Sequence, residues 1–246
     1  MTEPTVLVAH RGHAAEWPEN TLPALESAAA AGASWVEIDV QLSADGVPLL
    51  LHDTDLERVA GTARNVLELE ATALAEIPVG EPGRFGERFK DARVPTLAAF
   101  ATWLHGRPGL RAFVELKIES LEHYGRERVL AACRAALAPA NGQWAFISYD
   151  YEVLGLASAT GSEALGWVVR GFDEDIAQRA RRLPTRWLFC RHDRLPAGPL
   201  PAGPWQWAVY EVAEETMARD LIARGAHWLE TMDYPALAAA LAREPV

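Results

Sequence analysis

Residues 10–53, HRGHAAEWPENTLPALESAAAAGASWVEIDVQLSADGVPLLLHD, alternate extended, helical and extended chain, with charge at the end of each apolar run. The run Val6 to Ala9 ends in His10-Arg11-Gly12. A second, from Trp35, ends in Glu37-Ile38-Asp39, and a third, Leu49 to Leu51, ends in His52-Asp53. Between the first two, Leu22 to Ala31 has helical spacing and stops at Gly32. Further on, a run from Ala112 ends in Glu115-Leu116-Lys117. Charge at the carboxyl ends of parallel strands is costly unless the groups face one another and bind something. The pattern therefore points to a metal site that works on an anionic substrate.

The alternation continues outward from this stretch. Apolar runs fall near residues 5–9, 35–40, 112–116, 144–148, 165–169, 187–190, 205–210 and 227–230, eight if the run at 48–52 is set aside. Helix-spaced stretches lie between them, such as Glu127 to Leu137 before Pro139 and Glu214 to Arg224 before Gly225. Strand followed by helix, eight times, is the pattern of an α/β barrel. The run at 48–52 is set aside because Asp45-Gly46 favours a two-residue hairpin turn, which makes residues 47–52 an antiparallel arm. Pairing Ala44 with Val47 across that turn puts His52 opposite Asp39, on one face. Residues 54–94, with several glycines and prolines and with Phe85 and Phe89 among them, fit neither a barrel helix nor a linker and read as a small cap or subdomain inserted after the arm, above the active face.

Half of the 246 residues are hydrophobic and no long polar linker divides them, so a single domain over 1–246 is expected. A net charge of -11 argues against non-specific attraction to nucleic acid or an anionic membrane, and a phosphate substrate must be attracted locally. Cys133 and Cys190 lack metal spacing and read as buried thiols suited to a reducing compartment. The start, MTEPTVLVAHRG, has no basic region and too short an apolar run for a leader, and no run approaches membrane-spanning length. A cytoplasmic protein without stable membrane insertion is expected.

Glu37 and Asp39 stand two apart on a strand and project from one face, where both can ligate one ion. Glu115 offers a third carboxylate across the barrel mouth. An all-oxygen set favours magnesium, calcium or manganese over zinc. The bland reading, unrelated carboxylates paired with surface arginines, loses ground because His10 and His52 join the same cluster. Those histidines can take and give a proton near neutral pH, one on each side of a phosphodiester, in either assignment of roles. Arg11 supplies a planar fork for phosphate oxygens and Lys117 a point charge, unless Lys117 only neutralises Glu115. Asn20 or Thr21 is expected to cap the helix from Leu22. His13 reads as a loop residue. The tryptophans are expected to pack, apart from Trp207 in WQWAVYEV, which is placed beside the site as a substrate contact.

In order and spacing, HRGHAAEWPENT, VEIDVQLSADGVPLLLHD and ELK resemble the His-Arg-Gly, Pro-Glu-Asn-Thr, Glu-x-Asp, His-Asp and Glu-x-Lys blocks of the glycerophosphodiester phosphodiesterase family. The resemblance implies a TIM (β/α)8 barrel with an insertion after the arm of the second strand. It also implies Glu37, Asp39 and Glu115 as metal ligands, His10 and His52 as acid and base, and Arg11 and Lys117 as phosphate contacts. The implied reaction is metal-dependent hydrolysis of deacylated phospholipid diesters to glycerol 3-phosphate and an alcohol, with a small glycerophosphodiester as the substrate. The later half matches less closely: Trp207-Ala208-Val209-Tyr210 stands where many members read Trp-Thr-Val-Asn, and Met232 is inserted in Thr231-Met232-Asp233. The rival readings are a related barrel lipase, lysophospholipase D-like or phospholipase-like, acting on acylated lipids, and a barrel that binds diesters without cleaving them.

Overall fold

The computed structural model describes residues 5–161 and 163–243. The first four residues of the stretch read as lacking a leader lie outside them. Eight parallel strands follow the expected runs: β1 (Val6–His10), β2 (Trp35–Leu42), β3 (Arg111–Leu116), β4 (Trp144–Ser148), β5 (Ala164–Val169), β6 (Trp187–Arg191), β7 (Gln206–Tyr210) and β8 (Trp228–Thr231). Each pairs with the next, and β8 pairs with β1 to close a TIM barrel. Its register sets His10 beside Glu37 and Asp39 beside Glu115.

Inward positions alternate along every strand. The amino-terminal end of the barrel is filled by aromatic rings: Trp35 stacks on Phe113 at 4.5 Å between ring centres, and Trp187 and Trp228 meet Phe113 edge-on. Smaller side chains, Val8, Ala145, Val168 and Ala208, pack with these rings in the barrel interior. The large rings block the barrel from below, so polar side chains collect in a cup at the carboxyl ends, the face where strand-end residues of this fold can reach one another. Gly166 on β5 makes this packing possible, since a Cβ there would lie 2.6 Å from the Phe189 ring and 2.9 Å from Ile147 Cγ2. Gly166→Ala should therefore cost about 1–3 kcal/mol of stability, read as a lowered Tm.

Outside the strands run helices α1 (Leu22–Ala30), α2 (Leu97–His105), α3 (Arg126–Leu137), α4 (Tyr151–Thr160), α5 (Glu174–Arg182), α6 (Glu215–Arg224) and α7 (Tyr234–Leu241). The eightfold strand–helix alternation breaks once. After β6 a 3-10 turn (His192–Arg194) and the irregular segment LPAGPLPAGP replace the helix, because prolines at 196, 199, 201 and 204 remove the donors a helix needs. Leu200 and Trp205, both buried, occupy the outer core there. No described helix is long and apolar enough to cross a membrane.

Strand β2 continues past Asp39 to pair with the antiparallel arm Pro48–Leu50, as expected, but the register differs by one residue. Ser43, not Ala44, faces Val47, and the turn holds three residues with Gly46 at φ 81°. This is the three-residue hairpin whose last position needs a left-handed residue, and glycine takes it without strain. Leu51 thus comes opposite Asp39 and donates its N–H to the Asp39 carbonyl at 3.1 Å. The inserted segment contains a two-stranded pair, Asp55–Leu56 with Thr62–Asn65, and its Leu56, Val59, Val66 and Leu74 share a small core with Leu49 and Leu51 of the arm. It is tied to the loop between β1 and α1: its buried Glu81 accepts the Glu19 N–H at 2.7 Å, and Arg84 donates to the Ala14 carbonyl.

Candidate active site

The cup encloses about 240 Å³ and is lined from every strand end. Strands β1 to β3 contribute His10, Glu37 and Glu115, with Arg11 and Lys117 just beyond them and His52 from the chain leaving the arm. Carboxylate oxygens of Glu37, Asp39 and Glu115 lie within 4.8 Å of one another. The one-residue change of register does not remove His52, because the arm ends at Leu50 and the chain bends there back toward the cup.

The β1–α1 loop shapes one side. Arg11 and Asn20 are non-glycine residues in the left-handed region, at φ 57° and 56°. Gly12 lies between that loop and α1 so closely that a Cβ would come within 2.7 Å of the Ala24 backbone. Thr21 caps α1. Asn20 does not cap: its amide oxygen accepts the Asp39 N–H at 3.1 Å while its Nδ2 donates to Asp39 Oδ2 at 2.9 Å. Its left-handed backbone is therefore maintained by a clamp on an acidic residue of the trio. His13 is a loop residue as expected, bonded to Ser27 and facing Asp233.

The three carboxylates are not equivalent. Asp39, fully buried, has Arg11 Nε at 3.0 Å and Lys117 Nζ at 3.2 Å. Burial alone would push its pKa up, but Arg11, Lys117 and the Asn20 amide hold it far below the usual carboxylate range. Glu37 is pushed well above the ordinary glutamate value by burial and by Asp39, Glu230 and Glu115 around it. Its Oε1 has no hydrogen-bond partner among the described residues. Glu115 is raised mainly by burial although Lys117 Nζ lies 3.0 Å away. A buried carboxylate oxygen without a donor, beside two further carboxylates, is what a hard divalent cation would satisfy. The residues present thus fit one cation held by oxygen.

His10 is 6% exposed, its Nε2 is 3.7 Å from Glu37 Oε2, and burial followed by the Arg11 charge pushes its pKa down to about 3. His52 is held through Nδ1, 2.6 Å from Asp53 Oδ1. From Asp53 a chain of charges runs back to Arg11: Arg58 donates to Asp53 Oδ2 at 2.8 Å, bridges both oxygens of Glu19 at 2.7 Å, and Arg11 donates to Glu19 at 3.1 Å. Arg58 comes from the inserted segment and acts through Asp53, as a positioning residue. Arg58→Gln should lower kcat about tenfold while KM changes less, since the charge-assisted bond that orients His52 through Asp53 is lost and Arg58 itself touches no predicted substrate contact.

Trp207 is not where the sequence reading placed it. On β7 the inward positions are Ala208 and Tyr210, so Trp207 points outward, 2% exposed, with its indole N–H donating to the Pro201 carbonyl at 2.8 Å. It packs under the segment that replaces the missing helix. Tyr210 takes the inward place instead, and its hydroxyl is 2.6 Å from that of Tyr149. Tyr149, Arg170, Arg191, Arg194, Glu211 and Glu230 also line the cup and were not singled out from sequence. The signal was present: each of Tyr149, Arg170, Arg191, Tyr210 and Glu230 stands two residues beyond an inward apolar residue of its strand. Glu230 is 2% exposed and burial pushes it up to about 8.

A model of the glycerophosphoryl diester phosphodiesterase family matches residues 10–138, just over half of the chain. The glycerophosphodiester phosphodiesterase of Caldanaerobacter subterraneus subsp. tengcongensis is 36% identical over 93 residues, covering 38% of this chain and 37% of that protein. Glycerophosphodiester phosphodiesterase 1 of Rattus norvegicus is 36% identical over 95 residues, 39% of this chain and 29% of its own length. The matched segments thus span about a third of these curated relatives. Among solved structures, an Oleispira antarctica phosphodiesterase in complex with the product sn-glycerol-3-phosphate superposes with a TM-score of 0.86 at 24% identity, covering 97% of each chain. The glycerophosphodiester phosphodiesterase from Agrobacterium tumefaciens str. C58 gives 0.75 at 24% identity, with 96% of this chain and 99% of that one covered. These structural likenesses speak for the fold.

Proposed function

Since this chain belongs to the glycerophosphoryl diester phosphodiesterase family, we propose that it hydrolyses glycerophosphodiesters to sn-glycerol 3-phosphate and an alcohol. Glu37, Asp39 and Glu115 would hold one divalent cation, magnesium or calcium, with manganese as a third candidate. The observation that carries the reading is the convergence of two imidazoles, three carboxylates and two cations on one cup. When bound, such a cation supplies Lewis-acid polarisation of a phosphoryl oxygen. Arg11 and Lys117 orient the non-bridging oxygens and stabilise the charge that develops on them. One imidazole takes the proton of the attacking oxygen, and the other protonates the leaving alcohol oxygen.

The rim of arginines and Glu211 suits a deacylated, polar headgroup better than an acyl chain. Two buried, unpaired cysteines support work in a reducing cytoplasm. Assay of glycerol 3-phosphate released from glycerophosphodiesters tests the reading. Chelator should abolish the release, and added magnesium or calcium should restore it. Hydrolysis indifferent to chelator would remove the cation from the reading, and no release from any diester would remove the reaction.

A further inference from the structure

The wall of the cup facing β1 and β2 is cationic. Arg170 follows β5, Arg191 ends β6, and Arg194 lies in the turn after it. Two carboxylates answer these three guanidinium groups. Asp193 receives Arg191 at 2.6 and 2.7 Å and lies 3.9 Å from Arg194, and Glu211 lies 3.8 Å from Arg191. Arg170 makes no ion pair among the described residues; its guanidinium lies over the Tyr149 ring, 4.8 Å from the centroid. In a chain of net charge -11, this is a local reversal of sign on one rim.

The position of Arg170 bears on which alcohol can leave. A quaternary ammonium is held by aromatic faces or by carboxylates. Here the Tyr149 face already carries a guanidinium, and the Tyr149 and Tyr210 hydroxyls are bonded to each other. A choline group would meet like charge at that face. The guanidinium fork is instead matched to carboxylate and phosphate oxygens. The acidic trio lies on the opposite side of the cup, so one of the two ester arms of a diester with its phosphate at the trio extends toward this wall. We propose that the preferred substrate is a glycerophosphodiester whose alcohol carries an acidic group, carboxylate or phosphate, seated on Arg170 and Arg194. This rests on the phosphodiesterase reading above and specifies its substrate.

Two matched pairs test it: glycerophosphoserine against glycerophosphoethanolamine, and glycerophosphoinositol 4-phosphate against glycerophosphoinositol. In at least one pair the acidic member should be favoured in kcat/KM by about tenfold or more at low salt, the worth of one charge-assisted bidentate contact. The pair that shows the preference identifies the acidic group. Arg170→Gln combined with Arg194→Gln should bring that ratio close to one, and a ratio does not depend on how much of the variant is folded. Equal rates within both pairs, or a preference that survives the double substitution, overturns this inference and leaves the phosphodiesterase reading intact. Hydrolysis of glycerophosphocholine but of none of the four overturns this inference alone, and hydrolysis of no glycerophosphodiester at all overturns both.

Discussion

Alanine at His10 or at His52 is expected to lower turnover by roughly two to four orders of magnitude while cation affinity stays nearly unchanged. Neither imidazole belongs to the acidic trio. His10 approaches Glu37 only to 3.7 Å, and His52 is anchored to Asp53 on the far side of its ring, outside the trio. Each removal therefore takes away a proton carrier without taking away a carboxylate. The double variant should be little worse than either single one, since acid and base act in one reaction step. Turnover at saturating cation, set beside calorimetric cation binding, checks this. Activity within a few fold of the parent, or loss of the cation together with the activity, would show that the histidines do not carry the protons.

The second large effect separates two members of the trio that sequence treats alike. Glu37→Gln and Asp39→Asn should both weaken cation binding by about a hundredfold or more, beyond the cost of losing an outer-shell partner. Their effects on the cation-free protein should have opposite signs. Asp39 is the carboxylate that buried Arg11 and Lys117 share, so Asp39→Asn leaves them only Glu19 and Glu115 and should be destabilising, by up to about 3–5 kcal/mol. Glu37 is buried with an unpartnered oxygen among other acids, so Glu37→Gln should raise the Tm.

The pH dependence follows from the same burial. Glutamates whose folded pKa is raised bind more protons folded than unfolded, so cation-free stability falls as pH rises from about 4.5, where free glutamates ionise, to about 8, where Glu230 does. Glu37→Gln should flatten that fall. Thermal unfolding across this range reads both effects, and destabilisation by Glu37→Gln in the cation-free protein would contradict the electrostatic picture.

Much of the fold was legible because barrel strands covered on both faces read as short apolar runs, and all eight were found. The acidic trio was legible too, since Glu37 and Asp39 share a face by period two and Glu115 ends a neighbouring strand. What escaped was set by side-chain phase and by loops. Trp207 is one residue out of phase with Ala208 and Tyr210, and a run of mixed aromatics does not declare which phase faces inward. Asn20 looked like a cap because a polar residue before a helix usually is one, whereas its left-handed backbone turns its amide onto Asp39. The hairpin register depended on whether the turn holds two residues or three, a choice that Asp45-Gly46 permits both ways.

Periodicity and strand-end charge, both local properties, were enough for the chain to specify a barrel and to gather His10, Glu37, Asp39 and Glu115 at its carboxyl face. Only the closed barrel decided which carboxylate is neutralised by Arg11 and Lys117, that Arg58 of the insertion supports His52 through Asp53, and that arginines from β5 and β6 face the acidic side. Those relations join residues far apart in the chain, and their energies depend on distance and burial, which come into being when β8 meets β1.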